Sequence, residues 1–262
     1  MNDIKQARRS VLKGLGGLSL TGFPLAAVLD DAGLARAAAA GLETVSLTTS
    51  TGETQSAALA LPAVTPAPSV LLVHEWWGLN DQIKSVARAL ADEGYVALAI
   101  DLYDGKVTTN SDDARRLMGQ VQGPQATATL DAWIDWLQAR ADTTAKLGTV
   151  GWCFGGGWSL NASLARPVDA TVIYYGRLVQ DKARLAALKG PVLGHYASRD
   201  QWIDQKMVAG FESAMTAANR PYVSHWYEAD HAFANPTSVR YDEAAAPPPR
   251  PRPPAFFKAK LG

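Results

Sequence analysis

Alternating apolar and polar positions near the start of the chain predict a β-hairpin. Residues 43–47 and 55–61 alternate in this way, and the polar, glycine-containing segment 49–53 supplies the turn between them. Further along, short continuous apolar runs are typical of strands buried on both faces. Residues 70–74 and 95–100 form such runs, and residues 147–150, 170–174, 192–196 and 222–227 are predicted to be further strands.

Helical periodicity separates these apolar runs. Ile83, Val86 and Leu90 fall on one face of a helix, and similar patterns are found further along the chain. They cover residues 130–137, 155–165 and 205–218. Strand–helix–strand units at this spacing predict parallel strands joined by right-handed crossovers. We therefore predict a three-layer α/β/α sandwich with a mostly parallel sheet and an N-terminal β-hairpin.

The N-terminal segment has the features of an export signal. Arg8 and Arg9 precede a moderately apolar stretch, 14–28, and a small-residue site at 34–40. This order resembles a twin-arginine signal peptide, so we predict that residues 1–40 engage the twin-arginine export machinery. The mature protein is then expected to be periplasmic or secreted, without a stable membrane span, because the apolar stretch is short and interrupted. An ordinary amphipathic helix is the alternative.

The C-terminal segment departs from the strand–helix pattern. Residues 247–254 contain six prolines, which remove backbone donors and disfavour a helix. We predict one α/β domain over residues 41–246 and a proline-rich tail over 247–262. Residues 255–258 resemble the remainder of a closing helix.

Charge and cysteine content exclude several classes of protein. The chain has 25 basic and 25 acidic residues, without long charged blocks. Neither nucleic acid nor an anionic membrane surface is therefore expected as a partner. The single cysteine excludes an internal disulfide.

That cysteine, Cys153, lies in a glycine-rich turn between a predicted strand and a predicted helix. The sequence Gly-Trp-Cys-Phe-Gly-Gly at 151–156 directly follows the apolar run 147–150. Such an elbow lifts one side chain above the sheet and leaves N–H groups at the helix N-terminus facing an anion. We predict that Cys153 is a nucleophile, with a buried apolar filler as the alternative.

A thiol nucleophile requires a base and a carboxylate, and both follow in the chain. Asp200 comes just after the strand 192–196, and His231 just after the strand 222–227. Nucleophile, acid and histidine occur in this order in α/β-hydrolases. We therefore predict that Asp200 and His231 are the partners of Cys153.

Other candidates for these two roles fit less well. His195 and His225 lie inside predicted strands, where a packed, structural histidine is expected. Asp204 is expected in the first turn of the next helix, where a carboxylate stabilises the helix dipole. Asp230 adjoins His231, and sequence neighbours rarely face each other.

The segment 73–80 carries a second chemical signal. Glu75 follows the strand 70–74, where the second oxyanion donor of an α/β-hydrolase arises. We predict that Glu75 stands close to the thiol and takes or holds its proton. A surface carboxylate or an arginine partner is the alternative. Metal binding by His74 and Glu75 is not expected, because no second ligand pair supports it.

These motifs together resemble the dienelactone hydrolase family, the carboxymethylenebutenolidase-like α/β-hydrolases. The matching segments are 74–80, 99–103, 151–156, Asp200 and 231–235, and they span roughly residues 43–241. The resemblance implies a triad of Cys153, His231 and Asp200, with Glu75 assisting thiol activation.

The resemblance also implies a reaction. The backbone N–H groups of Trp76 and Phe154 would form the oxyanion hole. The cysteine would attack the carbonyl of a small ester or lactone, and the resulting acyl-enzyme would be hydrolysed. No metal or organic cofactor is implied. The alternative function is a non-catalytic periplasmic protein that binds small molecules on a hydrolase scaffold.

Aromatic residues near these motifs predict an apolar substrate pocket. The residues assigned to it are Trp77, Trp152, Tyr103 and Phe233. The dienelactone enzymes hold a substrate carboxylate with arginines, one of them soon after the histidine. Here Asn235 lies in that neighbourhood, and the next arginine is Arg240, with Arg115 and Arg116 as other candidates.

Overall fold

The computed structural model describes residues 32–242 and 253–262, which form one mixed sheet with helices on both faces. The described strands are β1 (Glu43–Thr48), β2 (Thr54–Ala60), β3 (Ala67–Val73), β4 (Val96–Ile100), β5 (Thr143–Trp152), β6 (Ala170–Tyr174), β7 (Val192–Ala197) and β8 (Tyr222–Tyr227). The described helices are α1 (Ala32–Ala39), α2 (Asp81–Asp92), α3 (Ser111–Gln120), α4 (Gly123–Gln138), α5 (Phe154–Ala165), α6 (Lys182–Leu185), α7 (Gln205–Ala217) and α8 (Pro253–Leu261).

The sheet has the predicted, mostly parallel topology. Its eight strands are ordered β1-β2-β4-β3-β5-β6-β7-β8. The hairpin β1–β2 and the pair β2–β4 are antiparallel, and all other neighbours are parallel. Strands β3 and β4 are buried on both faces, because helices cover the sheet from both sides. The structure confirms the predicted three-layer α/β/α fold.

Two apolar layers hold the helices on the sheet. On one face, α2 packs through Ile83 and Leu90, and α8 packs through Phe257. On the other face, α4 contributes Trp133 and Leu137, while α5 and α7 cover the strands towards β8. Helix α2 begins after Asn80, and the Asn80 side chain accepts a hydrogen bond from the Ile83 N–H. Each helix thus packs on the sheet through a short stripe of apolar side chains.

Two helices were not predicted, since α3 contains few apolar residues and α6 is only four residues long. In α3 only two residues are buried, Ala114 and Leu117. Its start is stabilised instead by Asn110, whose side chain accepts from the N–H groups of Asp112 and Asp113. Helix α6 spans four residues and begins in the same way, after Asp181.

The predicted signal peptide is only partly described. Arg8 and Arg9 lie outside the described residues, so the export signal stays a prediction. Helix α1, which falls within residues 1–40, packs on α2 and buries Ala35, Ala38 and Ala39. None of the helices in residues 32–242 and 253–262 combines the length and apolar character needed to cross a membrane.

The C-terminal tail is partly helical, contrary to the prediction for its last two prolines. Pro253 and Pro254 begin helix α8. Proline is tolerated in a first helical turn because the N–H group that it lacks has no intrahelical acceptor there. Phe257 is fully buried, and a Cβ at Gly148 of β5 would lie 2.6 Å from its ring. Helix α8 therefore covers the strand that leads to Cys153. Residues 247–252 lie outside the described residues.

Candidate active site

The turn between β5 and α5 has the geometry of the predicted elbow. Cys153 adopts φ 53° and ψ −116°, a strained conformation for a residue with a side chain. Its N–H donates to the Tyr174 carbonyl at 3.0 Å. A Cβ at Gly151 would lie 2.0 Å from the Gly155 carbonyl oxygen, so only glycine fits there. The absence of a side chain at Gly151 thus lets the main chain at Gly155 come close enough to form the turn that presents Cys153.

The structure brings the three predicted triad residues together. His231 Nε2 lies 3.1 Å from Cys153 Sγ, and His231 Nδ1 lies 2.6 Å from Asp200 Oδ2. The other oxygen of Asp200 accepts from the N–H groups of Trp202 and Ile203, at 2.8 and 3.1 Å. Because the carboxylate accepts from Nδ1, that nitrogen carries a hydrogen, and Nε2 faces the thiol.

Charge and hydrogen bonding favour protonation of His231 despite its burial. Burial lowers the pKa of His231, but the hydrogen bonds to Asp200 and Cys153 outweigh this effect and raise it to about 10. Burial raises the pKa of Asp200, yet the hydrogen bond from His231 and the two N–H donors bring it below its usual value. The arrangement stabilises an imidazolium between a carboxylate and a sulfur that can carry negative charge.

Glu75 is buried beside this group but does not hydrogen-bond to the thiol. Its Oε1 accepts from the Tyr175 hydroxyl at 3.3 Å, and its Oε2 accepts from Asn235 Nδ2. Burial raises the pKa of Glu75 to about 6, against the opposing effects of Asn235, the charge of His231 and Tyr175. The hydrogen bonds of Glu75 thus go to Tyr175 and Asn235, and its predicted role in taking or holding the proton of the thiol stays a prediction.

His74 has both ring nitrogens occupied by backbone groups. Its Nδ1 lies 2.6 Å from the Glu75 carbonyl oxygen, and its Nε2 lies 3.1 Å from the Leu102 nitrogen. Neither nitrogen is available as a metal ligand in this arrangement. Within residues 32–242 and 253–262, no group of three or more His, Cys, Asp or Glu side chains could hold a metal ion.

Two backbone N–H groups near the elbow are free to bind an anion. The N–H groups of Trp76 and Phe154 donate no hydrogen bond to any described residue. Phe154 is the first residue of α5, where the N–H has no intrahelical acceptor. A Cβ at Gly155 would lie 2.2 Å from the Val73 carbonyl oxygen, so the start of α5 packs directly on the main chain at the end of β3. This close packing joins the two segments that carry the candidate oxyanion donors.

Two of the predicted pocket residues, Trp152 and Phe233, are buried in an apolar cluster. Phe233 is fully buried and packs against Tyr175 and Tyr227, with ring centroids 5.4 and 4.8 Å away. Trp152 is 7% exposed and stacks on Tyr174 at 5.7 Å. Both belong to the apolar cluster that also contains residues of α2 and α8, and their assignment to the substrate pocket stays a prediction.

The other two predicted pocket residues lie around the candidate oxyanion donors. Tyr103 is 4% exposed, and its ring packs on His74 and Phe154, with centroid distances of 4.7 and 5.5 Å. Its hydroxyl is buried without a hydrogen-bond partner among the described residues. Trp77 is half-buried and packs on Trp76.

Residues that the sequence reasoning did not assign complete the site. Tyr175, at φ 37°, directly follows β6 and places its hydroxyl on Glu75. Asn235 provides the second partner of that carboxylate. Trp202 is 58% exposed and packs edge-on against His231 at 5.0 Å. The position of Tyr175 at the carboxyl end of a strand was a usable signal, since ligands bind at that edge of the sheet.

One of the three candidate arginines comes close to the triad. The Arg240 guanidinium lies over the Trp202 ring, 5.3 Å from its centroid. Arg115 and Arg116, in contrast, are exposed on α3 and form ion pairs with acidic residues of the same helix.

The remaining titratable candidates have structural roles, as predicted. His195 is fully buried in β7, with Nδ1 2.9 Å from the Tyr227 hydroxyl and its ring stacked on His225 at 5.6 Å. Burial, and then the charge of His225, lower the pKa of His195 to about 3. Asp204 caps α7, and Asp230 forms an ion pair with an exposed arginine.

Comparison with known proteins identifies the family. The family model described as "Dienelactone hydrolase family" matches residues 56–261. The carboxymethylenebutenolidase of Pseudomonas putida is 29% identical over 219 residues, covering 78% of this chain and 91% of its own length. A Bradyrhizobium protein assigned as a 2-oxo-3-(5-oxofuran-2-ylidene)propanoate lactonase is 32% identical, with 70% and 80% covered. A crystal structure from Klebsiella pneumoniae, assigned as a dienelactone hydrolase, has a TM-score of 0.69 and 31% identity, covering 79% of this chain and 94% of that one. This chain belongs to the dienelactone hydrolase family and has its α/β-hydrolase fold.

Proposed function

We propose that this chain is a cysteine-dependent hydrolase of small carboxylic esters or lactones that acts through an acyl-enzyme intermediate. Membership of a hydrolase family supports the reaction class. One observation carries the finer proposal: His231 bridges Cys153 Sγ and Asp200 Oδ2, at 3.1 and 2.6 Å. A complete nucleophile, base and orienting carboxylate favours catalysis over simple binding.

The acylation step follows from these positions. His231 Nε2 accepts the proton of Cys153, and the thiolate attacks the carbonyl carbon to form a C–S bond. The N–H groups of Trp76 and Phe154 donate to the oxyanion that develops. Collapse of the tetrahedral intermediate breaks the acyl C–O bond, and the imidazolium returns its proton to the leaving oxygen.

Hydrolysis of the thioester then restores the enzyme. Water loses a proton to His231 and attacks the acyl carbon, and the C–S bond breaks. The imidazolium returns this proton to the departing sulfur, so the products are the free carboxylic acid and the thiol of Cys153. Throughout this cycle, the buried charge of Asp200 stabilises the imidazolium and holds Nε2 towards the substrate.

Glu75 assists by its charge. Its carboxylate is close enough to His231 for the histidine's charge to lower its pKa, so the reciprocal effect favours the imidazolium. Tyr175 and Asn235 hold this carboxylate in place from both of its oxygens. Glu75 therefore acts on the thiol through the histidine when it is ionised.

Trapping of the acyl group tests the proposal directly. The protein is mixed with p-nitrophenyl acetate and with a simple unsubstituted lactone, and turnover, the initial burst of p-nitrophenol and intact mass are measured. We expect an acetyl adduct on Cys153 and a loss of turnover of at least about 10³-fold in Cys153→Ala. In His231→Asn, acylation and deacylation should both slow. Turnover that survives Cys153→Ala, or an adduct elsewhere, would refute the assignment.

A further inference from the structure

We infer that His74 is a positioning residue that fixes the oxyanion hole of this enzyme. It does so by holding the peptide unit between Glu75 and Trp76, whose N–H is one of the two candidate oxyanion donors. This inference rests on the proposed function, because it concerns the oxyanion formed when Cys153 is acylated.

The tautomer of His74 follows from its two contacts. The Leu102 N–H can only donate, so Nε2, 3.1 Å away, must accept and carries no hydrogen. Nδ1 therefore carries the hydrogen of the neutral ring and donates to the Glu75 carbonyl oxygen at 2.6 Å. Leu102 comes just after β4, so the imidazole ties the segment after β3 to the end of the neighbouring strand.

The Glu75 carbonyl belongs to the same planar, trans peptide unit as the Trp76 N–H. In such a unit the C=O and N–H groups point in opposite directions. The carbonyl is held on one side by His74 Nδ1 and by the Gly78 N–H, at 2.6 and 3.2 Å. The Trp76 N–H is consequently directed to the other side, where no described residue accepts it.

The surroundings of the ring restrict its movement. His74 is fully buried, and its ring packs on Tyr103 and Phe154, with centroid distances of 4.7 and 5.8 Å. Phe154 carries the other candidate oxyanion donor. His74 thus contacts the two segments that form the hole, by a hydrogen bond to one and by ring packing on the other.

His74 should therefore affect stabilisation of the oxyanion and not activation of the thiol. His74 does not contact the sulfur in any hydrogen bond of the described residues, so thiol activation should be independent of it. Preorganised oxyanion donors lower the barrier only for reactions that develop negative charge on the carbonyl oxygen. Loss of the His74 contact should therefore slow acylation by an ester and leave alkylation of the same thiol unchanged.

Three variants separate these effects. His74→Phe keeps the ring packing and removes both hydrogen bonds. His74→Gln can place an acceptor near Nε2 for Leu102 but offers no donor to Glu75. His74→Asn can place an amide N–H near Nδ1 and so restores the donor. His195→Phe, the same change at another fully buried imidazole, is the matched control.

Two rates are measured on each variant in the full-length protein. One is single-turnover acylation by p-nitrophenyl acetate, which builds an oxyanion, and the other is alkylation by iodoacetamide, which does not. For His74→Phe and His74→Gln we expect acylation to fall roughly 10- to 100-fold at unchanged KM, with alkylation within about twofold of the unaltered protein. His74→Asn should recover most of the acylation rate, and His195→Phe should retain it.

The outcomes distinguish this inference from the function on which it rests. Normal acylation of folded His74→Gln or His74→Phe overturns the inference alone. A parallel loss of acylation and alkylation also overturns it, since the effect would then lie in the thiol or the fold. Absence of acylation at Cys153 in the unaltered protein overturns the proposed function, and the inference with it.

Discussion

Replacing Glu75 by glutamine should stabilise the folded protein at neutral pH, even though it removes a charged residue from the candidate active site. The carboxyl is 3% exposed, and burial raises its pKa from 4.5 to about 6. Below pH 4.5 the group is protonated in both the folded and the unfolded chain. Between these two values the unfolded chain releases the proton while the folded protein keeps it, so stability is lost as the pH rises.

The size of this loss follows from the two pKa values. The difference corresponds to about 2 kcal/mol of unfolding free energy above pH 6, because one pKa unit is worth about 1.4 kcal/mol. Glutamine has no proton to lose. Its carbonyl can accept from Asn235, and its amide can donate to the oxygen of Tyr175, so both native contacts have a counterpart.

Urea denaturation at acidic and slightly alkaline pH measures the effect. The unfolding free energy of Glu75→Gln relative to the unaltered protein should increase by about 2 kcal/mol between roughly pH 4.5 and pH 8. Glu212→Gln, an exposed carboxyl on α7, serves as the control and should show little change. If the difference in unfolding free energy between Glu75→Gln and the unaltered protein stays constant or decreases over this pH range, burial of the Glu75 carboxylate does not cost stability.

Two further predictions concern the core. His195 is fully buried and its pKa is lowered to about 3, so the unfolded chain binds the proton first as the pH falls. The free energy of unfolding should therefore drop by up to about 4–5 kcal/mol between pH 6.5 and 3. In urea denaturation, His195→Phe should lose less unfolding free energy over this range than the unaltered protein, and an equal loss would contradict the prediction. Phe257→Ala should cost about 3–5 kcal/mol, because the ring is fully buried over Gly148. Thermal unfolding measures this loss of stability, with Phe256→Ala, a change at a partly buried neighbour, as the control. Equal losses of stability in the two variants would contradict the prediction.

The grouping of Cys153, Asp200 and His231 was predictable because each residue comes shortly after a predicted strand. Cys153, Asp200 and His231 come after β5, β7 and β8, and the carboxyl ends of parallel strands meet at one edge of the sheet. The apolar runs in the sequence identify these strands, so the position of each residue follows from the pattern alone.

Of the two partners of Glu75, Tyr175 directly follows β6 and so had a usable signal, but its contact with Glu75 and the position of Asn235 could not be found in this way. The backbone of Tyr175 itself adopts φ 37°, and Asn235 lies in a turn that includes Ala232 at φ 67°. Apolar patterns carry no information about such irregular backbone. Trp152 adjoins Cys153 in sequence, but strand alternation places it on the same face as Val150, which belongs to the core.

The packing of Phe257 on Gly148 also bears on the order in which the protein can fold. These two residues are about 110 positions apart, and the helix that carries Phe257 follows all eight described strands along the chain. During translation, the strand that leads to the elbow therefore lacks its cover on one face until residues 253–261 have been synthesised. Nascent chains that end before α8 should expose this apolar surface.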